Sequence, residues 1–260
     1  MIRALRTAAI VTGCCGLVLL TAGCPGPTPD PKVDRQQDLD INDRIRLSQA
    51  YVNNGRFNDA LEVLERATKK EPGHAGLRNY YGQVLLLAGR EEPAEMEMLK
   101  ALELDPYLTD AYNNLGIVYD RLERRDEAET AFRKALEDRS YPTPEKVYLN
   151  LGLLYGTQGR DDEAVASLRR AVEINPKYYQ AHYELASLLD RLGQLEEAAS
   201  EYDVASPAYR TNGEFYYRSG FVMFKLGDHE EARKRLERVQ ELSPGSTNAV
   251  KAADVLKMME

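Results

Sequence analysis

The chain has 260 residues, with 34 Lys and Arg against 42 Asp and Glu and a net charge of -8. An acidic surface excludes a phosphate-backbone ligand, because nucleic-acid binding draws most of its affinity from Lys and Arg neutralising phosphates. The three cysteines, Cys14, Cys15 and Cys24, all precede residue 25, which leaves no thiol downstream for a disulfide framework or a cysteine metal site.

The amino terminus reads as a signal peptide over residues 1–23. Arg3 and Arg6 form a charged start, Ala8 to Leu20 are mostly apolar, and Thr21, Ala22 and Gly23 are small residues ahead of Cys24. The apolar run is short for a membrane span, which takes about 20 residues. Leu20-Thr21-Ala22-Gly23-Cys24 resembles the lipobox of bacterial lipoproteins, with Thr21 where Leu is usual. The resemblance implies cleavage before Cys24 and diacylation (palmitate-type lipid) of its thiol. An ordinary secretory cleavage is the rival reading, and Val11-Thr12-Gly13-Cys14 is a competing box with a shorter apolar core. Losing Arg3 and Arg6 with the signal would bring the charge to -10. Residues 24–40 then form a tether: Pro25, Pro27, Pro29 and Pro31 favour extended backbone, which holds a folded part away from a membrane. Pro25 after the cysteine differs from the Asp that retains enteric lipoproteins in the inner membrane, so the expected location is the outer membrane, with the folded part in the periplasm.

From residue 41 a period of 34 residues appears when Pro72 is aligned with Pro106, and again as two periods between Pro176 and Pro244. Six helix-turn-helix units are predicted: 41–74, 75–108, 109–142, 145–178, 179–212 and 213–246, with an insertion at Thr143-Pro144. The eighth position is small throughout: Ser48, Gly82, Gly116, Gly152, Ala186 and Gly220. The twentieth is alanine throughout: Ala60, Ala94, Ala128, Ala164, Ala198 and Ala232. The eleventh carries Tyr51, Leu85, Tyr119, Tyr155, Leu189 and Met223, large residues filling the space beside the small ones. Position fifteen is Gly55, Gly89, Gly159, Gly193 and Gly227, as a left-handed helix end requires, but Glu123 in the third unit. That turn is expected to take a different shape or to carry strain.

A generic amphipathic bundle does not predict one register held over six units. The pattern is that of tetratricopeptide (TPR) repeats, and it implies an all-α, right-handed superhelical solenoid. Residues 247–260 read as a capping helix, with Val250, Ala253, Val255 and Leu256 as its apolar side.

The first helices of such units line a groove. Its predicted contact residues are Asn79, Tyr80 and Gln83 in unit two; Asn113, Asn114, Ile117 and Asp120 in unit three; and Leu149, Asn150 and Leu153 in unit four. Units five and six add Tyr183 and Ser187, then Tyr217, Arg218, Phe221 and Phe224. Asparagine amides donate and accept at once, which suits an extended peptide. The competing roles are structural: Asn114 and Asn150 joining adjacent repeats, and Phe221 and Phe224 packing on the cap. The groove has no Lys/Arg set of the kind that clamps a terminal carboxylate. His74, His182 and His229 fall in different units with no nucleophile or ligand set beside them, so no catalytic residue, metal, cofactor or small-molecule substrate is expected.

Two further segments carry a resemblance. Asp110-Ala111-Tyr112-Asn113-Asn114-Leu115-Gly116, and Lys134-Ala135-Leu136-Glu137-Asp138 leading into Tyr141-Pro142-Thr143-Pro144, are similar to segments of the PilF/PilW type IV pilus biogenesis lipoproteins and the related Tgl lipoproteins of social gliding motility. The resemblance implies a pilotin-like partner of the outer-membrane secretin, supporting its insertion and multimerisation in twitching or gliding. Members commonly carry a Cys in unit four, where this chain reads Leu149-Asn150-Leu151-Gly152-Leu153-Leu154; a role for that cysteine is not carried over. Pro142 and Pro144 are expected to end the second helix of unit three and to lengthen the next turn, pivoting the two halves. Rival functions are a periplasmic adaptor for a protease or peptidoglycan enzyme and an outer-membrane-protein assembly subunit.

Overall fold

A computed structural model describes residues 39–260; Cys24, the expected signal segment and nearly all of the expected tether lie outside them. The described residues hold thirteen α-helices and no strand. They are α1 (Ile41–Asn53), α2 (Phe57–Lys70), α3 (Ala75–Leu87), α4 (Glu91–Leu104), α5 (Thr109–Arg121), α6 (Arg125–Glu137), α7 (Pro144–Gln158), α8 (Asp161–Ile174), α9 (Tyr179–Arg191), α10 (Leu195–Ala205), α11 (Gly213–Leu226), α12 (His229–Leu242) and α13 (Thr247–Met258). None is long and apolar enough to cross a membrane. The chain divides into two compact units between Tyr141 and Pro142: α1–α6 make the first, three TPR helix pairs, and α7–α13 the second, three pairs and a cap.

One turn joins the two helices of every pair. Position sixteen donates its N–H to the carbonyl of position eleven, from Arg56 to Tyr51 (2.9 Å), through Arg124 to Tyr119 (2.8 Å), to Asp228 and Met223 (3.0 Å). That bond closes only if position fifteen is left-handed. The five glycines there have φ between 70° and 81°, and Glu123 follows them at φ 60°. The third turn therefore keeps the common shape, and a residue with a Cβ is strained by about 1 kcal/mol to do so. Where position eleven is tyrosine, an arginine at sixteen lies over its ring: Arg56 on Tyr51 (4.6 Å), Arg124 on Tyr119 (4.4 Å) and Arg160 on Tyr155 (4.2 Å). Where it is Leu85, Arg90 bonds Asn58 instead, at 2.8 Å.

Between paired helices the six alanines of position twenty are fully buried. A further column, position twenty-four, is equally enclosed: Leu64, Met98, Phe132, Leu168, Tyr202 and Leu236. These large side chains need the small residues of position eight. A Cβ on Gly116 would stand 2.4 Å from the Phe132 ring, and one on Gly220 3.0 Å from Leu236, so helix approach is set by what position twenty-four holds.

The second helices stop two residues before Pro72, Pro106, Pro176 and Pro244, where backbone ahead of a proline avoids the helical region. In repeat five the stop comes earlier: α10 gives way to a 3-10 turn, Ser206–Ala208, around Pro207. Two expectations require correction. Helix α6 ends at Glu137, before Pro142 and Pro144; Asp138 accepts bonds from Thr109 Oγ1 (2.8 Å) and from the Ser140 backbone N–H (2.9 Å), which redirects the chain. Pro144 starts α7 at its first turn, where no N–H is needed. On α13 the buried residues are Ala249, Ala252 and Val255, packed with Leu236 and Val239 of α12, whereas Val250 is exposed. The helix begins after Ser246, whose Oγ accepts from Ala249 N (3.1 Å), and that phase turns Val250 outward.

Candidate functional site

In the first unit the predicted face is built by α1, α3 and α5. Asn79, Asn113, Asn114 and Ile117 are buried, each 7% exposed or less. Asn114 Nδ2 donates to Asn79 Oδ1 at 3.0 Å, across 35 residues of sequence, so this amide pair joins repeat two to repeat three. Tyr80 is half-buried, and its hydroxyl donates to Gln49 Oε1 at 2.9 Å, joining repeats one and two. Gln83 and Asp120 remain half-exposed on the same face. Burial pushes the Asp120 carboxyl above the usual carboxylate range, against the opposing pull of Arg125 and Arg121.

In the second unit α7, α9 and α11 supply the equivalent residues. Leu149 is buried and offers packing rather than surface; Asn150, Leu153 and Tyr183 are half-buried. Tyr183 belongs to a ring network, stacked on Tyr209 with centroids 4.9 Å apart, and Tyr209 is in turn stacked on Phe215 at 5.1 Å. Tyr202 meets Phe215 edge-on at 5.7 Å, and its buried hydroxyl closes no hydrogen bond of ordinary geometry among the described residues, although Ser187 lies within its reach. Along α11, Tyr217, Phe221 and Phe224 stack at 6.0 and 6.1 Å and pack against the α12–α13 core. Lys225 lies over Phe221 at 4.8 Å. The two phenylalanines thus serve the cap while keeping one side toward the face.

A recurring joint ties these first helices together. The sixth position reaches the ninth of the preceding repeat in Tyr80–Gln49 and in Arg218 Nη1 to Ser187 Oγ, 3.2 Å. Position thirteen reaches position twelve of the preceding repeat: Arg121 to the Leu86 carbonyl (2.8 Å) and Lys225 to Asp190 (2.6 Å). Neither joint was anticipated, although the 34-residue register already placed both columns in view.

Glu184, also at position six, was likewise missed. Among the described residues it forms no ion pair or hydrogen bond, and burial raises its carboxyl to about 7, with Arg218 opposing and Glu214 adding to the rise. Each unit therefore carries one partly desolvated carboxylate on this face, Asp120 or Glu184, beside amide, hydroxyl and ring surfaces. Among the described residues no group of three His, Cys, Asp or Glu side chains is arranged to hold a metal ion. The lipidation candidate, Cys24, lies outside them.

Comparison with known proteins places these features in a family. Residues 45–109, 113–179 and 149–213 each match a tetratricopeptide repeat family, and residues 214–246 match a second family of that repeat. The TPR repeat-containing protein YpiA of Bacillus subtilis (strain 168) is 24% identical over 196 residues; they make up 75% of this chain, which spans only 38% of that relative. Among solved structures, PilW, a widely conserved type IV pilus biogenesis factor, superposes with a TM-score of 0.73 at 24% identity, over 82% of this chain and 97% of PilW. PilF of Pseudomonas aeruginosa superposes with a TM-score of 0.72 at 22% identity, over 82% and 96%. With well over half of its length matched and the same turn, small position and alanine column in all six helix pairs, the chain belongs to the tetratricopeptide repeat family.

Proposed function

We propose that this chain is a non-enzymatic scaffold of type IV pilus biogenesis, held at the outer membrane by lipid on Cys24, where it assists multimerisation of the pilus secretin. The observation that carries the reading is the end-to-end match in which this chain covers 97% of PilW and 96% of PilF. The superposition also takes in 82% of this chain, at TM-scores of 0.73 and 0.72. The sequence segment Tyr141-Pro142-Thr143-Pro144 and the lipobox-like run before Cys24 support it. Lipid would confine the search for a secretin segment to the membrane neighbourhood, raising effective concentration without new contacts. The accessible residues of the first-helix faces, Gln83 and Tyr80 in the first unit and Asn150, Leu153 and Tyr183 in the second, would then contact an extended stretch of that partner.

The test is genetic and biochemical. Deleting the gene is expected to abolish heat-stable secretin multimers and surface pili, and Cys24→Ser to release the protein from the membrane fraction and reproduce most of the defect. Normal multimers and normal pili in the deletion strain would sink the proposal. Copurification of a hydrolase without the secretin would replace it with the adaptor role.

A further inference from the structure

Positions twenty-two and twenty-five of the repeat lie on the exposed side of every second helix, and their chemistry differs in one repeat. Position twenty-two is Glu62, Thr130, Ala166, Ser200 and Lys234 in five repeats, and position twenty-five is Glu65, Arg133, Arg169, Asp203 and Glu237. In repeat two the same places hold Met96, 55% exposed, and Leu99, 41% exposed. Nothing in the TPR fold requires large apolar side chains there, since the core of the pair is formed by Ala94, Met98 and Ala101 on the opposite side of α4.

The flanks of this pair are charged. Glu92, Met96, Leu99 and Glu103 follow one another at spacings of four, three and four, which places them in one stripe along α4. The other carboxylates of the helix are engaged: Glu95 with Arg124 (2.8 Å), Glu97 with Arg78 (2.7 Å) and Lys100 (2.8 Å), and Glu91 with Arg121 (3.6 Å). Glu92 and Glu103 are exposed, and among the described residues their side chains form no ion pair or hydrogen bond. Beyond the helix end, Tyr107 adds a ring that is 90% exposed. The stripe is thus two apolar side chains between two uncommitted negative charges.

We propose that this stripe of α4 is a second docking surface, separate from the first-helix face, and that its occupant is an amphipathic protein helix carrying a pair of apolar side chains flanked by Lys or Arg. Charge complementarity decides the occupant. A second copy of the chain laid on the stripe would bring Glu92 and Glu103 against their own counterparts, and an anionic membrane would be repelled by them. A helix is favoured over a strand because side chains spaced by three and four residues form a ridge that fits the groove between the corresponding rows of another helix. Two apolar anchors and two charge pairs make a small contact, suited to a transient partner or to one arm of a two-site interaction.

The experiment places the photoreactive residue benzoylphenylalanine at Met96 of the full-length protein in its native cells, with Thr130, the same position of repeat three, as control. Strong crosslinking from position 96 and little from 130 is expected, and mass spectrometry of the linked segment should find paired apolar residues flanked by Lys or Arg. Combining the probe with Glu92→Gln and Glu103→Gln should lower the crosslink yield by about tenfold, with the helical circular dichroism and melting of the purified protein unchanged. In vitro, a synthetic Leu-paired helical peptide with Lys flanks should bind the wild-type protein, and binding should be lost with Leu99→Lys. Equal crosslinking from both positions, crosslinks to lipid or to a second copy, a linked segment without basic flanks, or indifference to the two Glu→Gln substitutions would each overturn the proposal.

Discussion

Residues 39–141 and residues 142–260 repeat the same helix pair three times each, yet they enclose their polar groups differently. The first unit pairs most of what it buries, Asn114 with Asn79 and Tyr80 with Gln49, and leaves the Asp120 carboxyl partly desolvated. The second unit relies on rings, with Tyr183, Tyr202, Tyr209 and Phe215 in one network, and it shuts away groups it does not satisfy, the Tyr202 hydroxyl and the Glu184 carboxyl. Stability stored in amide pairs is lost when one partner is removed, whereas an unpaired buried group is a standing cost whose removal is favourable.

The largest effect expected from this contrast is at the small position. Gly116→Ala would drive a methyl into the buried Phe132 ring and should destabilise the protein by about 2–3 kcal/mol in urea melts, while Gly220→Ala, facing the softer Leu236 side chain, should stay within about 1 kcal/mol of wild type. Equal costs at the two sites would break the argument that position twenty-four sets the helix approach. Asn114→Ala leaves Asn79 Oδ1 buried without its donor and should cost about 1–2 kcal/mol; a double-mutant cycle with Asn79→Ala should return a coupling near 1 kcal/mol. An unchanged melt would return Asn114 to the list of ligand contacts.

Glu184 gives the second unit a pH signature. Its carboxyl titrates at about 7 when folded and at about 4.5 when exposed, so between those values the folded chain binds more protons and stability declines as pH rises, levelling off above about 7. Glu184→Gln should flatten that slope and exceed wild type at pH 8 by about 1–2 kcal/mol, less than the full shift would give because the side chain still reaches solvent. A slope unaltered by the substitution would assign the pH dependence elsewhere. Tyr202→Phe removes the unpaired hydroxyl and should stabilise by about 1 kcal/mol; a loss of that size would reveal a partner for the hydroxyl. The smallest effect belongs to the first unit, where Glu123→Gly should raise stability by about 0.5–1 kcal/mol by relieving the one left-handed non-glycine residue among those described.

Most of what depends on local backbone or on the 34-residue register was legible in the amino-acid sequence; the early ends of α6 and α10 were not. The proline stops, the glycine turns and the small and alanine columns each follow from one residue type at one place, because a left-handed turn or a close helix crossing admits few alternatives. The candidate face was legible only as a set of positions. Whether Asn114 meets a partner protein or Asn79 depends on a side chain 35 residues away, and whether Glu184 is charged at neutral pH depends on how deeply the surrounding repeats bury it. The same distinction separates Val250, turned outward by the phase that Ser246 imposes on α13, from Ala249 and Ala252, turned inward. Sequence alone determined the repeat, its number and its turns. Tertiary structure decided which polar groups are spent inside and which remain to bind, because desolvation and pairing are settled by neighbours that come together only when the repeats stack.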